Sequence, residues 1–258
     1  MKPMAAISTQ AECSRTMSAM LKPLLLAALV FASLNAGRPA LAVPARVIIL
    51  RHGEKADHWK LCKVGRRRAM ALNQDLLGRE ARRSLFATGE APAAILAITL
   101  HAVELISPTA RSWRQPIHFY SAIHKDGNTH YRQELSQRTR EAAGDVLNNP
   151  FYNGKTVVMV WEHKHIANAL LEQQHPGKEA VTLRQLLQLN TLQGVPRTWP
   201  ENNYDYFWIV DFHAHSAQPS KFTMVRQIFS SAFAGVPSNT WGAPDGLTAA
   251  SGCISHEP

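Results

Sequence analysis

The sequence predicts an α/β fold of three layers, with helices on both faces of a mostly parallel central sheet. Short β-branched apolar runs recur along the chain, and segments of helical periodicity separate them. That alternation is the pattern of strand–helix–strand units. Composition agrees: 258 residues, 45% hydrophobic and 18% charged, suit one α/β domain and exclude a disordered chain. No internal repeat is visible, which argues against a solenoid or propeller.

Residues 1–42 read as a leader outside the fold. Lys22 precedes the apolar run from Pro23 to Ala32, and Ala40-Leu41-Ala42 follows as a small-x-small cleavage signal. The run is too short to span a bilayer. The polar stretch before Met17 is unusual for such a leader and points to translation starting at Met17 or Met20. Cleavage after Ala42 would leave a domain over 43–233, no stable membrane insertion, and a periplasmic or secreted protein.

Val47-Ile48-Ile49-Leu50 is the first predicted strand, short and apolar enough to be buried on both faces. Residues 65–77 carry Ala69, Leu72, Leu76 and Leu77 at helical spacing. A second strand is expected over 94–100 and another over 116–120, while residues 101–131 otherwise give no clear period. Residues 136–147 suit a helix with Ser136 as its N-cap. Asn153-Gly154 turns into Thr156-Val157-Val158-Met159-Val160, the clearest strand. Helices are expected over 166–174 and 183–189, and strands over 206–210 and 222–228. Residues 234–258, rich in Gly, Pro, Ser and Thr, read as a flexible tail.

In a parallel sheet ligands sit beyond the carboxyl ends of the strands, so the residues after Leu50 and after Val160 are the ones to inspect. Both places hold histidine: Arg51-His52-Gly53-Glu54-Lys55 follows the first strand, and Trp161-Glu162-His163-Lys164-His165 the second. Arginine offers a planar fork matched to phosphate. A neutral imidazole can attack phosphorus and carry the phosphoryl group, splitting one transfer into two. Gly53 lets backbone approach the anion closely.

The stretch Val47 to Lys55, a strand running into Arg-His-Gly-Glu-Lys, resembles the signature of the histidine phosphatase superfamily, the phosphoglycerate-mutase-like fold, and within it an exported RHGEK-type group. Leu61 to Leu72 resembles the family's next segment, a glycine opening a helix that contains Arg-Ala. The resemblance implies a phosphatase acting through phosphohistidine on His52, with Arg51 as a phosphate ligand and Gly53, Glu54 and Lys55 against the substrate. It implies a second arginine at a helix start, for which Arg138 is the choice and Arg132 the reserve. It also implies a second histidine, His163, with His165 as the alternative. The general acid is left unassigned. The implied partner is a small phosphorylated substrate, and no cofactor or metal is required.

Other readings use the same residues. The pairs His163/His165 and His213/His215, with Asp205 or Asp211, could hold zinc and activate water. A non-catalytic phospholigand binder is a third reading. The chain carries a net charge of +9, and the leader removes Lys2, Arg15, Lys22 and Arg38 against only Glu12, so the excess stays basic and favours anionic ligands. The densest cluster, Arg66-Arg67-Arg68 with Arg79, Arg82 and Arg83, has no interleaved aromatics, which argues against nucleic acid. Cys62 and Cys253 remain after the leader, and an oxidising compartment would allow them one disulfide.

Overall fold

The computed structural model describes residues 43–254. The predicted leader and its cleavage site lie outside the described residues. The elements that position the site are β1 (Arg46–Arg51), α1 (Lys63–Ala71) with a π-helical continuation over Leu72–Leu77, β2 (Ala94–Ala97), α2 (Leu100–Trp113), β3 (Ile117–Phe119) and α3 (Tyr131–Asn148). They continue with β4 (Thr156–Trp161), the short helices α4 (His163–Ile166), α5 (Ala169–Gln174) and α6 (Leu183–Leu186), then β5 (Tyr206–Phe212) and β6 (Pro219–Arg226).

The six strands form one sheet in the order β3-β2-β4-β1-β5-β6. The first four are mutually parallel, whereas β5 runs antiparallel to β1 and β6 antiparallel to β5. The predicted α/β class with a mostly parallel sheet is therefore the observed one. Strand side chains alternate between two cores. Val47, Ile49, Leu96, Val157 and Met159 meet α3 and α6 residues such as Leu135, Val146 and Leu183. Ile48, Leu50, Ile95, Val158 and Val160 meet Ala69, Leu72, Leu105 and Ile106 of α1 and α2. Each such fully buried aliphatic contributes roughly 1.5–3 kcal/mol, which fixes the strand order and register around the site.

Register decides what meets at the strand tips. Arg51 pairs with Trp161, so β1 and β4 end level, and the His52 N–H donates to the Trp161 carbonyl at 2.9 Å. Ala97 pairs with Val160, so β2 leaves the sheet at the same edge. Because β5 is antiparallel, its start returns to this edge, and its end, Asp211 beside Arg46, lies at the opposite one.

The local reading differs from the structure in several places. The uncertain region 101–131 contains α2, 14 residues long, capped by the Thr99 hydroxyl accepting from the Ala102 N–H. Pro108 lies inside it, and that residue type masks a helix in the sequence. Helix α3 begins at Tyr131, so Ser136 is inside it rather than its N-cap, and its hydroxyl donates to the Arg132 carbonyl. The helix expected over 166–174 is broken at Ala167, and Asn168 caps a fresh start by accepting from the Leu171 N–H. Residues 234–254, predicted as a loose tail, are tied down. Trp241 packs against Trp199, Trp208 and Tyr206, Cys253 is disulfide-bonded to Cys62 across 191 residues, and the Ile254 N–H donates to the Lys55 carbonyl at 2.8 Å.

Candidate active site

His52 sits at the tip of β1 and is 1% exposed. Its Nδ1 lies 2.8 Å from the Gly53 carbonyl. A carbonyl only accepts, so Nδ1 carries the proton and Nε2 the lone pair. That Nε2 is buried with no hydrogen-bond partner among the described residues. Burial is the main cause holding His52 well below the usual imidazole range. The charges of Lys55 and Arg51 and the neighbouring His101 add to it, and only the Gly53 carbonyl opposes. The ring is therefore neutral at pH 7, the form that can attack an electrophile.

Arg51, 2% exposed, is held along one edge. Its Nη1 donates to the carbonyls of Pro200 at 3.3 Å, Glu201 at 2.5 Å and Asn203 at 3.4 Å. The guanidinium lies over the Tyr204 ring, 3.9 Å from its centroid. These contacts come from the segment leading into β5, which antiparallel pairing returns to this edge. The other edge is less occupied: Nη2 is 3.3 Å from His163 Nδ1, and Nε is buried without a partner among the described residues. A guanidinium anchored through Nη1 presents Nε and Nη2 as the fork that meets two oxygens of an anion.

Around His52 stand His163, His101 and Tyr204, with ring centroids 6.2, 5.8 and 6.1 Å away. His163 is the first residue of α4, separated from β4 by Glu162. Glu162 caps that helix, its side chain accepting from the His165 N–H. The Glu162 carboxylate bridges two imidazoles, 2.6 Å from His163 Nδ1 and 3.1 Å from His165 Nδ1. His163 Nδ1 thus has Arg51 and Glu162 within reach. Burial would push the Glu162 carboxyl up, but the charge and hydrogen bond of His163, then those of His165, outweigh it and hold it well below the usual carboxylate range. His165 reaches α3, its Nε2 3.2 Å from the Ser136 hydroxyl.

The remaining expected residues are placed as follows. Glu54 is buried and turned from His52 into Arg68, whose Nε and Nη2 donate to its carboxylate at 2.7 to 3.1 Å. Arg68 also holds Asp205 through Nη2 at 2.8 Å and Gln227 through Nη1 at 2.8 Å. Gly65 explains why α1 can approach: a Cβ there would lie 2.4 Å from the Glu54 carbonyl oxygen, a backbone atom. Lys55 is 7% exposed and acts on His52 by its charge. Arg138 is on the outer part of α3, with Nη1 on Glu141 at 2.6 Å and Nε on the Ser121 carbonyl, neither of them in the His52 cluster. Arg132 is exposed. His213 and His215 are exposed beyond the end of β5, at the opposite edge of the sheet, and Asp211 there is paired with Arg46. A zinc centre joining both His-x-His pairs is thus excluded by strand direction.

His101 and Tyr204 are the site neighbours that sequence reading missed. His101 is the second residue of α2, its Nε2 2.8 Å from the Asp57 carbonyl. The strand-end rule applied to β2 points to it. Tyr204 had no signal, because only an antiparallel β5 brings it here.

Among the described residues, one group of side chains has metal-like spacing: His52, Glu162 and His163 each place one ligand atom within 4.8 Å of the others. The Arg51 guanidinium beside His163 opposes a divalent cation there and favours an anion.

No family model matches the chain, and the comparison with curated proteins found no match. Among solved structures it is similar to a mycobacterial hydrolase, 14% identical over 73% of this chain and 94% of that one, with a TM-score of 0.38. It is also similar to mycobacterial glucosyl-3-phosphoglycerate phosphatase. The native form is 13% identical over 72% and 99% of the two chains, with a TM-score of 0.37. The form with inorganic phosphate is 14% identical over 79% and 100%, again with a TM-score of 0.37. These likenesses are remote.

Proposed function

We propose that the chain is an exported phosphatase that hydrolyses a small phosphate monoester through phosphohistidine on His52, without a cofactor or metal. One observation carries the reading: a neutral buried imidazole with an unpartnered Nε2 sits beside a buried arginine with an unpartnered Nε. A buried lone pair and a buried N–H, each without a partner, are costly unless a ligand meets both. A phosphoryl group does so, offering oxygens to the arginine fork and phosphorus to the lone pair.

The reaction has two steps. His52 Nε2 forms a bond to phosphorus as the bond to the leaving oxygen breaks, and the alcohol departs with a proton. Water then attacks phosphorus, the N–P bond breaks, and phosphate leaves with His52 neutral again. Arg51 Nε and Nη2 neutralise the equatorial oxygens throughout, and the preset donors act without reorganising. The predicted leader supports export, and so does a disulfide, since such bonds persist in oxidising compartments.

Turnover of a generic aryl phosphate tests this. Activity is expected to survive a chelator and to vanish in His52→Ala. Activity lost to chelator and restored by zinc would instead support a metal at His52, Glu162 and His163.

A further inference from the structure

The densest run of arginines in the sequence includes Arg79 and Arg82, and the chemistry at His52 uses neither. Both line an open cavity of about 430 Å³ together with Asn73, Gln74, Glu80 and Ser112. From this lining we infer that the cavity is a second ligand site, whether or not His52 carries a phosphoryl group. Its ligand is a hydroxylated small anion, a saccharide bearing one phosphate or carboxylate.

The walls follow from local structure. Helix α1 continues as a π-helical turn over Leu72–Leu77, an uncommon form that recurs at functional sites. The chain leaves that turn at Gly78, where a Cβ would lie 2.2 Å from the Asn73 carbonyl oxygen, so no larger residue allows this exit. The loop it starts is strapped down. The Arg79 N–H donates to the Ser112 hydroxyl at 3.1 Å, the Arg82 N–H to the Gln74 carbonyl at 3.0 Å and the Arg83 N–H to the Asp75 carbonyl at 2.8 Å. The π turn, the 78–83 loop and the end of α2 thus enclose one space.

Helix direction separates this space from the active site. His101, near the start of α2, has its ring 5.8 Å from that of His52. Ser112 is eleven residues further on, roughly 16 Å along the helix at 1.5 Å per residue.

The donors are set in advance. Arg82 Nη1 donates to the buried Asp75 carboxylate at 2.8 Å and to the Ser230 hydroxyl at 2.7 Å. Its Nε and Nη2, the Arg79 guanidinium and the Gln74 carboxamide have no partners among the described residues. Two guanidiniums attract an anion and meet its oxygens as planar forks. Glu80 lines the same space and is paired with neither arginine among the described residues. Its charge opposes a bare polyanion, whereas ligand hydroxyls can donate to it and to the carboxamide oxygens. All six lining residues are polar, which disfavours an apolar ligand, and the volume is that of a small-molecule site.

Trp113 reports on the cavity, since it follows Ser112 directly and its Nε1 donates to the Leu77 carbonyl at 2.8 Å. In protein labelled with fluorotryptophan, glucose 6-phosphate or glucuronate should shift the Trp113 fluorine resonance saturably, with Trp113→Phe supplying its assignment. The tighter of the two names the anionic group. Glucose and inorganic phosphate should each bind about tenfold more weakly or worse. Arg79→Ala and Gln74→Ala should weaken binding of the tighter probe by about tenfold, the size of one lost charged or well-placed hydrogen bond, with urea midpoints measured to show the fold intact. His52→Ala should leave that affinity unchanged. A Trp113 resonance unmoved by both saccharides, an affinity unchanged in Arg79→Ala, or binding lost in His52→Ala would overturn the site. Inorganic phosphate bound as tightly as glucose 6-phosphate would overturn the hydroxylated class of ligand.

Discussion

Two buried charged clusters follow β1 within a few residues of each other, and they are built in opposite ways. In the first, Arg68 uses all three guanidinium nitrogens, donating to Glu54, Asp205, Gln227 and the Pro237 carbonyl. Asp205 in turn accepts from the Asn239 N–H and side-chain amide. In the second, the His52 Nε2 and Arg51 Nε are buried and left open. Both clusters bear the desolvation cost of buried charge, but only the first satisfies it internally. A saturated network joins α1, β5, the end of β6 and the C-terminal segment. An open one is ready for a ligand. The Arg-His-Gly-Glu loop thus divides its labour: Arg51 and His52 keep buried polar atoms without partners among the described residues, and Glu54 holds the loop to α1.

The largest effect is expected at Arg68. Arg68→Met leaves the Glu54 and Asp205 carboxylates buried together, and breaking such a pair costs about 3–5 kcal/mol. Urea unfolding should show that loss. A loss below about 1 kcal/mol would mean the network is not structural. Next comes the Cys62–Cys253 bridge, which fastens the C-terminal segment to the residue before α1. Cys253→Ser should lower stability by about 2–4 kcal/mol, measured by the same unfolding curves against oxidised wild type. An unchanged midpoint would show that the segment is held by Asn239 and Trp241 alone.

The open cluster has its own pH signature. His52 is held below its unfolded value, so below about pH 6.5 the unfolded chain binds a proton that the folded one refuses. Stability should therefore fall as pH drops through that range. In His52→Gln, the difference between the unfolding midpoints at pH 7 and pH 5.5 should shrink. An identical difference would mean His52 is not buried neutral. The smallest effect is expected at Arg138, whose partners are Glu141 and the Ser121 carbonyl. Arg138→Ala should cost under about 0.5 kcal/mol and leave KM for an aryl phosphate unchanged. A tenfold rise in KM would place Arg138 against the substrate.

Much of this was legible in the sequence because β1 and β4 are short, β-branched and buried on both faces. Their ends could be read, and with them Arg51, His52 and His163. What remained hidden depends on direction and long-range pairing. An apolar run at 206–210 announces a strand but not that it runs antiparallel. That direction alone brings Tyr204 and Asp205 to the site and sends His213 and His215 to the far edge. Helix α2 was obscured by Pro108, and with it His101. Glu54 looked like a site residue because nothing local shows that Arg68, fourteen positions on, takes its carboxylate. The C-terminal segment reads as loop by composition, and only its partners Cys62, Asp205 and Trp208 show that it is held.

The most direct test of the open cluster is to catch the intermediate. Wild-type protein mixed with ³²P-labelled aryl phosphate and quenched in alkaline detergent, where phosphohistidine survives, should carry label on the peptide containing His52. The label should appear faster than steady-state turnover and be absent in His52→Ala. Turnover without labelled protein, or label on another residue, would contradict the account.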